Sequence, residues 1–141
     1  MFIDEFYSSA SDTRRADEAH ILVIEDDKSI QSLMCSILGL AGFRKITVSV
    51  GDCPMEGLVS MIPESERILA VIDFNLEQAN GVHYANQLLR LRPDARIMIV
   101  SGIVEDVVLL VEVAANKEVE FLQKPFSAEN FVARVQHMLN S

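Results

Sequence analysis

The chain of 141 residues carries 21 acidic and 12 basic side chains, a formal charge of −9, with 50% apolar and 23% charged residues. That length suits one domain with a core large enough to need no disulfide or metal staple, and the apolar share excludes disorder over most of it. The acidic balance argues against nucleic acid and against anionic lipid, since both need a basic footprint.

Residues 1–19 are polar and charged. They read as a mobile arm, with at most one helical turn around residues 3–7, ahead of a domain spanning 20–141. The arm lacks the apolar stretch of a signal peptide. The longest uncharged stretch, residues 29–43, is 15 residues long, short of the roughly 20 a membrane-spanning helix needs. Cys35 and Cys53 show no CxxC spacing and read as reduced thiols, which fits a cytoplasmic protein.

From His20 onward, short apolar runs alternate with helical periods. Residues 21–24, 68–72 and 97–100 are continuous apolar runs rich in β-branched residues and read as strands β1, β3 and β4, buried on both faces. Residues 46–50 and 119–122 alternate apolar and polar; they read as β2 and β5, each with one more exposed face. Helix α1 is predicted from the stripe Ile30, Leu33, Met34, Ile37, Leu38 and Ala41, with Gly42 just past its end. A weaker α2 follows Pro54 over 55–61. Val82, Ala85, Leu88 and Leu89 predict α3, closed by Pro93. The stripe 104–115 predicts α4. Phe131, Val135, Met138 and Leu139 predict α5, with Ser127 as its cap.

The order βαβαβαβαβα implies an α/β fold, a doubly wound five-stranded parallel sheet with five helices. The two alternating strands belong at the edges, and right-handed crossovers then give the order 2-1-3-4-5, the flavodoxin-like arrangement. The chain changes direction between β1 and β3, so a ligand is expected beyond their carboxyl ends.

Glu25, Asp26 and Asp27 follow β1 directly, and Asp73 follows β3. Asp27 is placed to cap α1, but the set as a whole repels itself in one crevice, which points to a bound cation. Oxygen ligands alone, few and on one side, suit Mg2+. His20, His83 and His137 are scattered and read as surface residues. Ser101 ends β4 and Lys124 ends β5. A carboxylate nucleophile, a metal, a hydroxyl and an ammonium are the parts needed to accept and hold a phosphoryl group.

At these residues the chain resembles the response-regulator receiver family of two-component signalling, of the stand-alone, chemotaxis-regulator-like kind. The motifs are ILVIEDDKSI (21–30), VIDFNLEQANG (71–81), IMIVSG (97–102) and FLQKPF (121–126). The resemblance implies that Asp73 is the phosphoacceptor and that Glu25, Asp26, Asp73 and the Asn75 carbonyl ligate Mg2+. It implies that Lys124 binds phosphoryl oxygens, and that the bond from Lys124 to Pro125 is cis. Ser101 and Phe121 are implied as switch residues that remodel the α4-β5-α5 face. Glu25, Glu77, Asn80 and Phe121 depart from the commonest family pattern, without removing a catalytic part.

The expected function is therefore a phosphorylation-activated receiver, not an enzyme beyond its own phosphotransfer and dephosphorylation. The implied donor is a histidine kinase or histidine-phosphotransfer protein meeting α1 and the crevice loops. The α4-β5-α5 face would meet a downstream protein or a second copy as a homodimer. The apolar run 107–111 is a further candidate patch. The chain reads as a complete stand-alone protein. The alternative from another class is a pseudo-receiver that binds partners without phosphate. A dehalogenase-like phosphatase is disfavoured, because its nucleophile would sit in a DxD pattern on the first strand.

Overall fold

The computed structural model describes residues 19–77, 79–102 and 119–140. In chain order these form β1 (Ala19–Ile24), α1 (Lys28–Leu40), β2 (Lys45–Ser49), α2 (Met55–Ser60) and β3 (Arg67–Asp73). They continue with α3 (Gly81–Leu91), β4 (Arg96–Ser101), β5 (Val119–Gln123) and α5 (Ala128–Asn140). The stretch expected to form α4, its apolar run 107–111 and residues 1–18 lie outside the described residues.

The five strands are parallel in the order β2-β1-β3-β4-β5, as the alternation of the two edge strands predicts. Successive side chains of a strand point to opposite faces, so each central strand feeds two cores. Ala19, Ile21 and Val23 of β1 join Leu69, Val71, Met98 and Val100 in a layer closed by Met34 and Leu38 of α1 and Phe131, Val135 and Met138 of α5. Leu22 and Ile24 join Ile68, Ala70, Ile72, Ile97 and Ile99 in the other layer, closed by Met55 and Leu58 of α2 and Tyr84, Ala85 and Leu88 of α3. Both faces of β1, β3 and β4 are thus dry, which is why their sequences run apolar without alternation. On the edge, Val48 of β2 remains 44% exposed.

Local chemistry sets the helix ends. Asp27 Oδ1 accepts from the amides of Ser29 at 2.9 Å and Ile30 at 3.1 Å, capping α1 as its position predicts. At the other end Gly42 takes φ +100°, and the amides of Gly42 and Phe43 return to the carbonyls of Gly39 and Leu38. This is a Schellman closure, which needs a residue without Cβ at that position. Ser127 Oγ accepts from the Asn130 amide at 3.0 Å at the start of α5. The last turn of α5 is held by two strand-end guanidiniums: Arg67 donates to the Leu139 carbonyl at 2.7 Å, and Arg96 donates to the Met138 carbonyl.

Three expectations change. Leu33, placed on the buried stripe of α1, is 58% exposed, because the helix seats itself on Met34 and Leu38 and turns Leu33 to its flank. His20 is not a free surface residue. Its ring lies between β2 and the residue that precedes β3, Nε2 at 2.6 Å from Thr47 Oγ1 and Nδ1 at 3.2 Å from Glu66 Oε1. Ala19, grouped with the arm, is fully buried as the first residue of β1.

Candidate functional site

The carboxyl ends of β1 and β3 bring Glu25, Asp26 and Asp73 together. One carboxylate oxygen from each lies within 4.8 Å of the others. Asp73 is the last residue of β3 and only 5% exposed; Glu25, one residue past β1, is 1% exposed; Asp26 is half-buried. They meet because β1 and β3 are neighbours with Ile24 registered against Ile72, so the residues that follow each strand emerge side by side.

Lys124 follows β5, two strands away from β3, and reaches across the crevice. Its Nζ lies 3.0 Å from Asp73 Oδ1 and 3.7 Å from Glu25 Oε1. Its main chain is anchored as well, since the Lys124 amide donates to the Ser101 carbonyl at 2.8 Å. The Lys124–Pro125 bond is cis, as the resemblance implies. Burial disfavours the ammonium, but its hydrogen bond to Asp73 and the attraction of Asp73 and Glu25 outweigh that. The Lys124 pKa is held above the ordinary lysine value.

Glu25 shows the opposite balance. Burial is the largest influence and the Asp73 charge adds to it, while the Asp27 amide at 3.2 Å from Oε2 and the Lys124 charge pull the other way. The outcome is a pKa raised from 4.5 to about 7. Glu25 Oε1 is buried without a hydrogen-bond partner. A carboxylate oxygen buried, unbonded and beside two further carboxylates is a donor set that fits a hard divalent cation.

The remaining predicted residues lie at the end of β4, in the loop after β3 and inside β5. Ser101 ends β4, is 3% exposed, and its carbonyl receives the Lys124 amide. Asn75 lies two residues past Asp73, exposed, in an isolated bridge with Asn80. Phe121 sits inside β5 opposite Ile99, half-buried against the α2–α3 layer, and is not part of the carboxylate cluster.

Three residues that sequence reasoning did not assign to the site also shape it. Gly81 opens α3, and its amide donates to the Phe74 carbonyl at 2.8 Å. A Cβ there would lie 2.6 Å from the Asp73 carbonyl oxygen, so only glycine lets the helix approach this closely. The Asn80 side chain accepts from the His83 amide at 3.1 Å and caps that helix; an Asn before a Gly that opens an apolar stripe was the available signal. The Tyr84 hydroxyl donates to the Gly51 carbonyl at 2.5 Å, fastening the β2–α2 loop to α3. Nothing in the local sequence marks that bond, since its partners are 33 residues apart.

Beside Lys124 lies an apolar groove of about 440 Å3, lined by Ile30 and Leu33 of α1 and by Lys124, Pro125 and Phe126. No helix among the described residues is long and apolar enough to cross a membrane.

Comparison with known proteins gives one consistent result. The sequence profile of the response regulator receiver domain matches residues 21–136. The DNA-binding transcriptional regulator NtrC of Azospirillum brasilense is 27% identical over 123 residues, covering 87% of this chain and 24% of that protein. The chain spans between about a quarter and about half the length of such curated relatives. Among solved structures, a response regulator receiver domain protein from Clostridium thermocellum superposes with a TM-score of 0.72 at 18% identity, covering 86% of this chain and 94% of that one. The beryllofluoride-activated NtrC4 receiver domain dimer superposes with a TM-score of 0.68 at 26% identity, covering 86% and 94%.

Proposed function

The chain belongs to the response regulator receiver domain family, and on that premise we propose that the domain opening with β1 at Ala19 is a phosphorylation-activated cytoplasmic switch whose acceptor is Asp73. One observation carries the reading. The Lys124 ammonium lies 3.0 Å from a buried aspartate that shares its crevice with two further carboxylates, one of them holding an oxygen without a hydrogen-bond partner. Such an arrangement binds an anion only when a cation offsets the acids, and it holds the nucleophile where the anion arrives.

In this reading Asp73 attacks phosphorus through a carboxylate oxygen. The new O–P bond forms as the P–N bond of a phosphohistidine donor breaks, the imidazole leaving with the electron pair. Lys124 holds the carboxylate in place beforehand and neutralises a phosphoryl oxygen afterwards; its raised pKa keeps it charged throughout. Glu25, Asp26, Asp73 and the Asn75 carbonyl are the groups that would hold Mg2+, which when bound supplies positive charge to the phosphoryl oxygens. The Ser101 hydroxyl turns to the new group, and Phe121 follows by rotating inward, changing the α4-β5-α5 face. The half-buried state of Phe121 leaves it room to gain burial in that change.

The donor is a histidine kinase or phosphotransfer protein. The groove along Ile30, Leu33 and Phe126 supports its docking there, because it adjoins Lys124 and presents Leu33 to solvent. The changed face meets a downstream protein or a second copy. The dimeric state of the activated NtrC4 receiver supports the second.

Intact-mass spectrometry after incubation with acetyl phosphate and Mg2+ tests the reading. The parent gains one phosphoryl group and Asp73→Asn gains none. A parent that gains nothing and also fails to bind beryllofluoride overturns it in favour of a phosphate-independent interaction module.

A further inference from the structure

Where β1 and β2 end, the strand ladder stops short of Glu25. The last registered pair is Ile24 with Ser49. The Glu25 amide still reaches the Ser49 carbonyl at 3.0 Å. The next rung is missing, because the Gly51 amide turns back to Ser49 Oγ at 3.1 Å. Gly51, with φ +89°, makes that turn possible.

The Gln31 side chain fills the gap. Its single Nε2 donates to the Glu25 carbonyl at 3.2 Å and to the Ser49 carbonyl at 3.1 Å. Gln31 is itself fixed in the first turn of α1, where its backbone amide donates to the Asp27 carbonyl at 2.9 Å. The Glu25 carbonyl belongs to the peptide plane between Glu25 and Asp26. Gln31 ties that plane to the end of β2 and to the first turn of α1, and the rigid plane carries the Cα atoms of both residues, so the tie sets where both side chains leave the backbone. One half-buried amide is thus bonded to the backbone segment that carries two of the three clustered carboxylates.

We propose that Gln31 is a positioning residue for the divalent-cation site, holding the Glu25–Asp26 segment in the place from which both carboxylates reach the crevice. The proposal rests on the Mg2+ reading above. Groups that orient ligands without binding the metal are worth about 10- to 100-fold in affinity elsewhere. A single peptide-fixing contact belongs at the lower end.

The experiment is a Mg2+ dependence of acetyl-phosphate labelling of the full chain, together with a calorimetric Mg2+ titration, for the parent and for Gln31→Met. Met keeps the length of the side chain and removes its donors. The expected result is a Mg2+ half-saturation raised about tenfold, with the labelling rate at saturating Mg2+ within about twofold of the parent. A general loss of structure would lower the saturating rate as well, so that outcome overturns the proposal. Equal Mg2+ affinity in the two proteins also overturns it, leaving the Mg2+ reading intact. A parent that binds no Mg2+ overturns both. In the parent alone, the Gln31 side-chain amide protons should exchange more slowly than those of the other glutamines; exchange at the same rate refutes the bonds on which the proposal stands, whatever the variant does.

Discussion

Glu25→Gln in divalent-free buffer probes the energetic cost built into the crevice. The native Glu25 carboxyl has its pKa raised from 4.5 to about 7, with burial as the first cause and the Asp73 charge adding to it. Between those two values the native state keeps a proton that the unfolded chain has released. Stability therefore stands at its full value below about pH 4.5 and falls as pH rises through about 7. The interval from 4.5 to about 7, at about 1.36 kcal/mol per pH unit, amounts to about 3 kcal/mol. For a domain of this size one kcal/mol moves the melting temperature by about 4 °C, so the loss is about 10 °C. Gln keeps the shape and cannot ionise. Thermal unfolding followed by circular dichroism at pH 4.5 and pH 8.5 should give similar Tm values for the two proteins at the lower pH. At the higher pH the variant should melt about 10 °C above the parent. Titrating groups that do not interact with Glu25 cancel in the difference. Parallel pH profiles for parent and variant would refute the account of Glu25 as a buried acid held near neutrality.

Further outcomes follow from the same geometry. Asp26→Asn relieves a half-exposed carboxylate clustered within 4.8 Å of two others. With water-like screening this stabilises the metal-free protein by about 1 kcal/mol, read as a higher Tm in chelator and a smaller gain on adding Mg2+; an unchanged or lower Tm in chelator would sink it. Gly81→Ala forces a Cβ to within 2.6 Å of the Asp73 carbonyl oxygen. It should cost about 2 kcal/mol in a urea titration and slow labelling of Asp73, whereas a midpoint equal to the parent's would show that α3 can retreat freely. Tyr84→Phe removes the donor to the Gly51 carbonyl and should cost about 1 kcal/mol by the same titration; no loss would mean that water replaces the hydroxyl.

Much of the architecture was legible because it depends on properties that neighbouring residues share. Short continuous apolar runs rich in β-branched residues suit strands dry on both sides, which puts β1, β3 and β4 in the centre and the alternating β2 and β5 at the edges. Once that order is settled, Glu25, Asp26 and Asp73 must emerge side by side, and chain reversal at β1 and β3 locates the crevice. Asp27, Gly42 and Ser127 were readable as helix ends because capping is a contact within a few residues.

Other features depended on which surfaces the packed elements present to each other. The apolar stripe of α1 admitted several seatings, and only its fit against the sheet decided that Met34 goes in while Leu33 faces solvent. His20 could not be assigned to Thr47 and Glu66 before the sheet placed β1 between β2 and the start of β3. The Glu25 carboxyl titrates near neutrality because of burial, a property of the assembled crevice that no stretch of sequence carries. The bonds of Gln31 to the Glu25 and Ser49 carbonyls, and of Tyr84 to Gly51, join residues 6, 18 and 33 positions apart in the chain. The sequence by itself determined the fold, the strand order and the set of acids that meet. The tertiary structure alone decided how those acids are aimed and charged, because orientation and desolvation arise from contacts between elements and not within them.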